Sequence, residues 1–235
     1  MRHLKKQLLK ILRMTYSCCK PQIRHKRLVK MITMSTDVEK FIGFCDSEFG
    51  KRVMKKEARY ICNELKDCKA ILDIGCGIGS FEQNLPSLDI IGLDSSKEML
   101  EEAKKRSDKA FVLGNAEHLK FNDSMFDAVF AVTTLEFIDN YQKAIREMAR
   151  VTKPCGKVLV MMLNPTSEYF REEIEKPDAY FRRIKHKNPR EVSNYISRFY
   201  TVIKQEKILG IKGPRIFDTN DERYASLYVV VGIKR

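Results

Sequence analysis

Short apolar runs alternate with amphipathic segments along most of the chain. The run 70–74 (AILDI) is mostly apolar with two β-branched isoleucines, which is typical of a buried strand. Further runs of the same character lie at 89–94, 110–113, 126–133 and 158–163. Segments with helix-like spacing separate these runs, at 80–85, 97–106 and 140–151. Strands that alternate with helices predict an α/β fold built on a parallel sheet.

Further predicted elements flank this central alternation. Ahead of it, 48–65 has apolar residues at helical spacing, and residues 35–37 are capping types that precede another short helix. Behind it, 166–188 is charged with interleaved aromatic residues, and we expect a helical lid there that determines substrate specificity. A helix at 191–200 and strands at 201–210 and 226–233 follow, which makes seven strands in total.

The strand at 70–74 runs directly into a glycine-rich turn, Gly75-Cys76-Gly77-Ile78-Gly79. Glycine permits a sharp turn and has no Cβ to keep a flat ligand from the backbone, and N–H groups at the start of the next helix face such a ligand. Ser80 stands where the Gly-x-Gly-x-x-Gly spacing of dinucleotide-binding proteins requires a glycine. The turn therefore predicts a cofactor site and disfavours a nicotinamide cofactor.

Asp94 ends the second predicted strand, fifteen residues beyond Gly79. A carboxylate at the carboxyl end of this strand can accept hydrogen bonds from both ribose hydroxyls of an adenosine, as the corresponding acid does in nucleotide-binding sheets. The alternative is that Asp94 only caps the helix at 97–106, a role that Ser95 or Ser96 fills equally well. With the glycine turn upstream, we expect ribose binding.

The sequence Asp73-Ile74-Gly75-Cys76-Gly77-Ile78-Gly79 resembles motif I of class I S-adenosylmethionine (SAM) dependent methyltransferases. This resemblance implies that SAM is the cofactor. The motif residues it places against SAM are Asp73, Gly75, Cys76, Gly77 and Gly79. Asp94-Ser95-Ser96-Lys97-Glu98-Met99-Leu100 is similar to the family's Asp-x-Ser-x-x-Met-Leu run. It implies that Asp94 and Ser95 bind the cofactor and that Met99 packs near the adenine.

Residues 114–121 (GNAEHLKF) are similar to the Gly-Asp-Ala-Glu-x-Leu-Pro-Phe segment of the ubiquinone/menaquinone-biosynthesis methyltransferases, the type 11 group. The similarity implies that Asn115 and Ala116 lie at the adenine. Asn115 replaces the family's Asp, and its amide oxygen can still accept a hydrogen bond from the adenine amino group. His118 in the same segment is more typical of a surface residue than of a catalytic base.

Residues 124–139 resemble motif IV of the same family. The resemblance implies that Thr133 contacts the methionine end of SAM and that residues 134–139 border the methyl group. Glu136 is either a base or a residue that holds this loop. No catalytic residue is identified, because the remaining candidates, Tyr141, Tyr169 and His186, belong to no motif.

The family resemblance covers about residues 50–163. It implies a doubly wound, Rossmann-like sheet of seven strands in the order 3-2-1-4-5-7-6, with the last strand antiparallel and helices on both faces. It also implies methyl transfer from SAM to a small or medium-sized acceptor by direct in-line displacement. Such a reaction mainly requires that the acceptor atom and the methyl group are aligned, and it requires a base only where the acceptor arrives protonated.

Length and composition set bounds on this prediction. With 235 residues and 43% hydrophobic content, the chain can form one domain with a full core, which we place at 35–235. The longest apolar run, 158–163, is far shorter than the ~20 residues that span a bilayer. Seven cysteines without a Cys-x-x-Cys spacing indicate neither a disulfide framework nor a zinc site. We therefore expect a cytoplasmic protein without a metal.

The net charge of +13 comes mostly from the N-terminus. Residues 1–34 carry ten basic and no acidic side chains, and the remainder has 34 basic against 31 acidic ones. Leu4, Leu8, Ile11 and Leu12 lie at helical spacing, which is typical of a basic amphipathic helix. Three interpretations stay open: contact with RNA or an anionic membrane, docking on the domain, or a dispensable extension ahead of an alternative start at Met31 or Met34.

Two other functions compete with methyl transfer to a small molecule. An RNA-modifying methyltransferase would use the basic N-terminus to contact phosphates, so that removal of residues 1–34 would abolish RNA affinity and its salt dependence. A non-catalytic SAM-binding or partner-binding subunit would keep the cofactor pocket without a usable acceptor site. Intact Asp73, Gly75, Gly77 and Asp94 predict cofactor binding in either case.

Overall fold

The computed structural model describes residues 38–177 and 179–235. The predictions for residues 1–37, including the basic amphipathic helix and the capping residues 35–37, lie outside this range. The chain divides into two units, Met1–Lys40 and Phe41–Arg235. Of the first unit the structure describes only residues 38–40, which are helical.

The second unit is a sheet flanked by helices. Its helices are α1 (41–46), α2 (Glu48–Leu65), α3 (Ser80–Asn84), α4 (Lys97–Arg106), α5 (Tyr141–Val151), α6 (Glu168–Glu175) and α7 (Pro189–Ile196), with a 3-10 turn at Tyr180–Arg183. Its strands are β1 (Ile71–Ile74), β2 (Ile90–Asp94), β3 (Ala110–Leu113), β4 (Phe126–Val132), β5 (Thr152–Leu163), β6 (Tyr200–Lys212), β7 (Arg215–Phe217) and β8 (Ala225–Lys234). No helix in the described ranges has the length and apolar character needed to cross a bilayer.

The strands lie in the order β3-β2-β1-β4-β5-β8-β6-β7. Strands β1 to β5 pair in parallel, and β8 runs antiparallel to both β5 and β6. The predicted doubly wound sheet with an antiparallel last strand is therefore confirmed, with β8 in the position predicted for strand 7.

Two details of the predicted sheet were wrong. An eighth strand, β7, pairs with β6 across a turn at Gly213, whose φ is +53°. With three residues, β7 is too short to show an alternating pattern. In addition, β5 begins at Thr152 and not at Val158, because residues 153–156 form a bulge within the strand, where Cys155 has a φ of +61°.

Alternating strand residues form two hydrophobic clusters, one on each face of the sheet. Leu72, Val129 and Val160 belong to the cluster that includes α5 and α7, whereas Ile71, Phe130 and Leu159 belong to the cluster that includes α2 and α3. Successive side chains of a strand point to opposite faces, so both faces of these strands are covered. Because β1 to β5 are parallel, their carboxyl ends lie at the same edge of the sheet, where ligands bind in open α/β folds.

Candidate cofactor and acceptor site

The glycine turn after β1 adopts a backbone that other residues rarely adopt. Gly75, Gly77 and Gly79 have φ values of +77°, +55° and +72°, in the left-handed region that costs roughly 1–2 kcal/mol for residues with a Cβ. A Cβ at Gly75 would lie 2.4 Å from Thr134 Cγ2, and one at Gly79 would lie 2.9 Å from Phe111. Both space and conformation therefore require glycine in this turn.

The end of β2 holds this turn in place. The backbone N–H groups of Gly75 and Cys76 donate to the carbonyl oxygen of Leu93, at 2.7 and 3.0 Å. Asp94 Oδ2 accepts from the Gly77 N–H at 2.9 Å, and its Oδ1 accepts from the Ser96 N–H at 2.8 Å. Burial raises the pKa of the Asp94 carboxyl, and these two N–H donors partly offset that effect.

Asp94 is not the cap of the following helix. Ser96 is the N-cap of α4, since its Oγ accepts from the Met99 N–H at 3.2 Å. The carboxylate of Asp94 instead connects the end of β2 with the glycine turn. The alternative role considered for Asp94 is therefore filled by Ser96.

Two further carboxyl groups lie buried beneath the turn. Asp73 and Glu82 are each 1% exposed, and Asp73 Oδ2 and both Glu82 carboxyl oxygens have no hydrogen-bond partner among the described residues. Burial, reinforced by the neighbouring Glu82, raises the pKa of Asp73 well above its usual range, and burial raises that of Glu82 to about 7. Glu82 was not predicted to lie at the site, because its position on a five-residue helix has no clear periodicity.

Gly92 makes the space for these acidic groups. A Cβ at this position of β2 would lie 2.7 Å from Glu82 Oε1 and 2.8 Å from Cys76 Sγ. Gly92 is the register partner of Asp73. Burial and the adjacent acids raise the pKa of the Cys76 thiol far above its usual range, so Cys76 stays a thiol and is no nucleophile.

The remaining predicted cofactor residues lie around the same edge of the sheet. Thr133 follows β4 with a φ of +44°, and its N–H donates to the Met161 carbonyl oxygen at 2.8 Å. Such strained non-glycine residues persist where the surroundings fix them, often at functional sites. Its neighbour Thr134, which was not among the predicted cofactor residues, packs directly against Gly75.

The other four predicted cofactor residues differ in burial. Met99 is half-buried and Ala116 is buried, whereas Ser95 and Asn115 are exposed. The Asn115 amide oxygen accepts from the Glu117 N–H at 2.8 Å in a local turn, and this contact competes with the adenine contact that we predict. The roles of all four stay predictions. His118 is exposed and contacts the Lys143 ammonium group.

Glu136 connects the loop after β4 with the segment predicted to be a lid. Its Oε1 accepts from the Leu163 N–H at 2.9 Å, and its backbone oxygen accepts from Lys185 N at 2.8 Å and from His186 N at 3.2 Å. Glu136 is 3% exposed and its Oε2 has no partner in the described ranges; burial raises its pKa to about 7.

A small cavity lies beside Glu136. Its volume is ≈ 10 Å³, about the room that one water molecule needs. Glu136 and Leu163 border it from the sheet side, and Phe170, Ile184 and His186 border it from the predicted lid. His186 Nε2 is 2.9 Å from the Ile138 carbonyl oxygen, so the imidazole also anchors this segment to the loop.

These residues fit SAM as a cofactor on structural grounds. The left-handed glycines leave the backbone open to close approach, and the buried oxygen of Asp73 lacks a partner within the described part of the chain. The carboxylate of Asp94 lies at the end of β2, where a ribose binds in sheets of this type.

Comparison with known proteins agrees with this architecture. Residues 72–160 match the family model described as a methyltransferase domain. The demethylmenaquinone methyltransferase of Thermotoga maritima is 34% identical over 110 residues, which cover 44% of this chain and 48% of that protein. An uncharacterized protein of Methanocaldococcus jannaschii is 33% identical over 151 residues, covering 63% of this chain and 67% of that protein. For several of the curated relatives that it matches, the chain spans less than half of their length.

The fold is also shared with solved structures. A SAM-dependent methyltransferase of Thermotoga maritima, described as a possible histamine N-methyltransferase, superposes with a TM-score of 0.72 at 22% identity. The superposition covers 86% of this chain and 98% of that one. The superposition shows the shared fold, and the family model together with the relatives shows that the chain belongs to the class I SAM-dependent methyltransferases.

Proposed function

We propose that this protein transfers a methyl group from SAM to a small or medium-sized molecule by direct in-line displacement. The observation that carries the proposal is the hydrogen bond between Asp94 and the Gly77 N–H, within a turn of three left-handed glycines. When bound, SAM supplies a methyl group on a sulfonium centre that needs no covalent enzyme intermediate. The protein then has to bind, orient and exclude water.

The proposal gives each group of predicted cofactor residues a role. Asp94 would accept hydrogen bonds from the ribose, and the glycine turn with Asp73 would hold the methionine end. Thr133 and the loop 134–139 would border the reacting group. Phe170 and His186 of the predicted lid border the same small cavity as Glu136, which supports a role for this segment in covering the site.

The relatives support methyl transfer from SAM, but they give weaker support for any particular acceptor. Demethylmenaquinone is the acceptor for which one relative is named, but the match covers less than half of that protein. The Thermotoga structure is 22% identical, which is evidence of the fold alone. Contact with RNA or an anionic membrane through residues 1–34 stays a prediction, to be tested by removing those residues.

Calorimetric titration with SAM, S-adenosylhomocysteine and NAD tests the proposal. We expect binding of both adenosyl ligands, no binding of NAD, and at least a tenfold loss of affinity in Asp94→Ala, about 1.4 kcal/mol. Asp89→Ala is the matched control, because Asp89 is exposed just before the same strand. Absence of adenosyl-ligand binding would contradict the proposal.

A further inference from the structure

One buried acidic residue on α2, Glu57, has no role in the cofactor site described above. Glu57 is 4% exposed, and its Oε2 has no hydrogen-bond partner among the residues that the structure describes. Burial alone raises its pKa to about 8. Buried carboxyl groups are normally paired with a donor or a cation, so this one is a site that a ligand can complete.

Glu57 lies on the helix face that meets the predicted lid. Phe49, Val53 and Glu57 follow one another at intervals of four residues, which places them on one side of α2. The Phe49 ring is 6.2 Å from the Tyr169 ring of α6, measured between centroids. Burial raises the pKa of the Tyr169 phenol, and the nearby carboxyl groups of Glu173 and Glu57 add to this effect.

Two more aromatic rings lie next to the Phe49–Tyr169 pair. Tyr169 is 5.9 Å from Phe181, and Phe49 is 6.3 Å from Phe44. Aromatic faces attract cations within about 6 Å, and more strongly where water is excluded. A buried carboxyl group with an unpartnered oxygen, on the same helix face as an aromatic ring, is therefore complementary to a positively charged organic group.

The same residues reach the cofactor turn. Cys45 lies close enough to Ser80, the residue directly after Gly79, and to Glu57 for both to affect the pKa of its thiol. On the lid side, Tyr169 precedes Phe170, which borders the cavity beside Glu136. Glu57 is thereby connected to the glycine turn through Cys45 and Ser80, and its helix face is connected to the predicted lid through Phe49 and Tyr169.

From this arrangement we propose that Glu57, together with Tyr169 and Phe49, binds a methyl acceptor that carries a protonated amine. This inference rests on the proposed methyl transfer and specifies its acceptor as a basic nitrogen compound. The ammonium group donates a hydrogen bond to the Glu57 carboxylate and lies against the aromatic rings. Passage of its proton to a Glu57 carboxyl oxygen leaves the electron pair on nitrogen, which is the form that can accept a methyl group.

The protonation state of Glu57 predicts that binding of an ammonium ligand releases a proton. With a pKa of about 8, the carboxyl is mostly protonated near pH 7 and ionised near pH 9. An ammonium ligand stabilises the ionised form, so that its binding releases close to one proton near pH 7 and none near pH 9.

The groups that face Glu57 do not titrate in this range. Burial raises the pKa of the Cys45 thiol to about 11 and that of the Tyr169 phenol above its usual value. Other charged side chains on or near α2 are paired with groups other than Glu57. Lys56 pairs with Asp218, Lys204 pairs with Glu64, and Glu206 accepts from the Tyr60 hydroxyl.

Calorimetry on the protein saturated with S-adenosylhomocysteine tests this proposal without turnover. The probes are phenethylamine and its neutral isostere 2-phenylethanol, each titrated near pH 7 in two buffers of different ionisation enthalpy. We expect at least tenfold tighter binding of the amine, with release of close to one proton. Glu57→Gln should remove both the preference and the proton release, whereas Glu48→Gln, an exposed acid on the same helix, should change neither.

The outcomes separate this proposal from the proposed function. Binding of S-adenosylhomocysteine to each variant shows that it is folded and that the donor site is intact. If that ligand binds but the amine has no advantage over the alcohol, or Glu57→Gln keeps the advantage, the acceptor proposal is overturned and methyl transfer stands. If S-adenosylhomocysteine fails to bind the wild-type chain, both proposals are overturned.

Discussion

The Asp94 carboxylate accepts a hydrogen bond from the backbone N–H of Gly77 at 2.9 Å, which links the end of β2 to the centre of the glycine turn. The same carboxylate accepts from Ser96, so that one side chain orders both the turn and the start of α4. Because burial raises its pKa, Asp94 becomes protonated at a higher pH than an ordinary aspartate.

This relationship predicts pH-dependent cofactor binding. We expect the affinity for S-adenosylhomocysteine to fall as the pH is lowered, beginning above the usual aspartate pKa of about 3.9, because protonation removes an acceptor. Asp94→Asn should bind more weakly near pH 7 and show a flatter profile, measured by calorimetry from about pH 4 to pH 8. An unchanged profile in Asp94→Asn would contradict a ribose-binding role for Asp94.

Substitution of Gly75 should destabilise the fold through two separable effects. In Gly75→Ala the new Cβ meets Thr134 Cγ2 at 2.4 Å, and the residue keeps a φ of +77°. We expect a loss of more than ~2 kcal/mol in urea unfolding, from the contact and the left-handed conformation together. Adding Thr134→Ala should recover only the contact part.

A control for the conformational part exists elsewhere in the chain. Gly213 has a φ of +53°, but a Cβ added there would have no other atom within 4 Å. Gly213→Ala should therefore cost roughly 1–2 kcal/mol from conformation alone. Equal losses at Gly75 and Gly213 would show that the Thr134 contact is unimportant.

Glu136 should make the protein less stable as the pH rises. Its pKa is raised from 4.5 to about 7 in the folded chain, so the folded state holds the proton after the unfolded state has lost it. Between about pH 4.5 and pH 7 this difference costs roughly 3 kcal/mol of stability, and the cost remains above pH 7.

Glu136→Gln removes that penalty, because the Gln side-chain oxygen can still accept from the Leu163 N–H. We expect the variant to gain stability over wild type by an amount that grows by roughly 3 kcal/mol between about pH 4 and pH 8, measured by urea unfolding. Glu101→Gln, on an exposed face of α4, should show no such growth. A gain independent of pH would contradict the raised pKa.

Asn164 should fix the start of the predicted lid. Its Nδ2 donates to the carbonyl oxygens of Glu222 and Ala225, at 3.0 and 2.8 Å, and its Oδ1 accepts from the Thr166 hydroxyl at 2.7 Å. Asn164 is 2% exposed. Asn164→Ala removes the side-chain donor to the carbonyl oxygen of the buried Ala225, and leaving such a group unpaired costs about 1–3 kcal/mol.

Hydrogen exchange can locate the effect of Asn164→Ala. Amides of α6 should exchange faster in the variant, while those of β8 keep their relative protection. Asn194→Ala, an exposed position in α7, should leave α6 unchanged. Uniform loss of protection across the sheet would show that Asn164 supports the whole fold and not the lid segment.

The sequence was sufficient for the parts of the fold that depend on local patterns. The predicted limits of α2 and α4 agree with the structure, because amphipathic spacing and a capping serine define both. The strand β7 was missed because three residues carry too little pattern, and the bulge in β5 resembled a turn, since proline and glycine occur in both. The limits of the proposed lid and the start of the domain stay predictions.

The candidate site was predictable where a motif fixes the backbone. The glycine turn and Asp94 follow from residue types whose chemistry is specific. Glu57 and Glu82 could not be found in this way, because their role depends on contacts between distant segments. Thr134 was predicted only as part of the loop 134–139, and its contact with Gly75 was not foreseen. A buried acid looks like any surface acid until the fold shows that it lacks a partner.

The attachment of the lid segment to Glu136 has a consequence for motion. Lys185 and His186 donate to the Glu136 backbone oxygen, and His186 borders the same cavity as Glu136. If this segment moves away and water reaches the carboxyl group, its pKa falls towards 4.5. Opening would then expel a proton between about pH 4.5 and pH 7, and closing would take one up. The equilibrium between open and closed forms should accordingly shift towards closed in acid, which makes acceptor access a function of the surrounding pH.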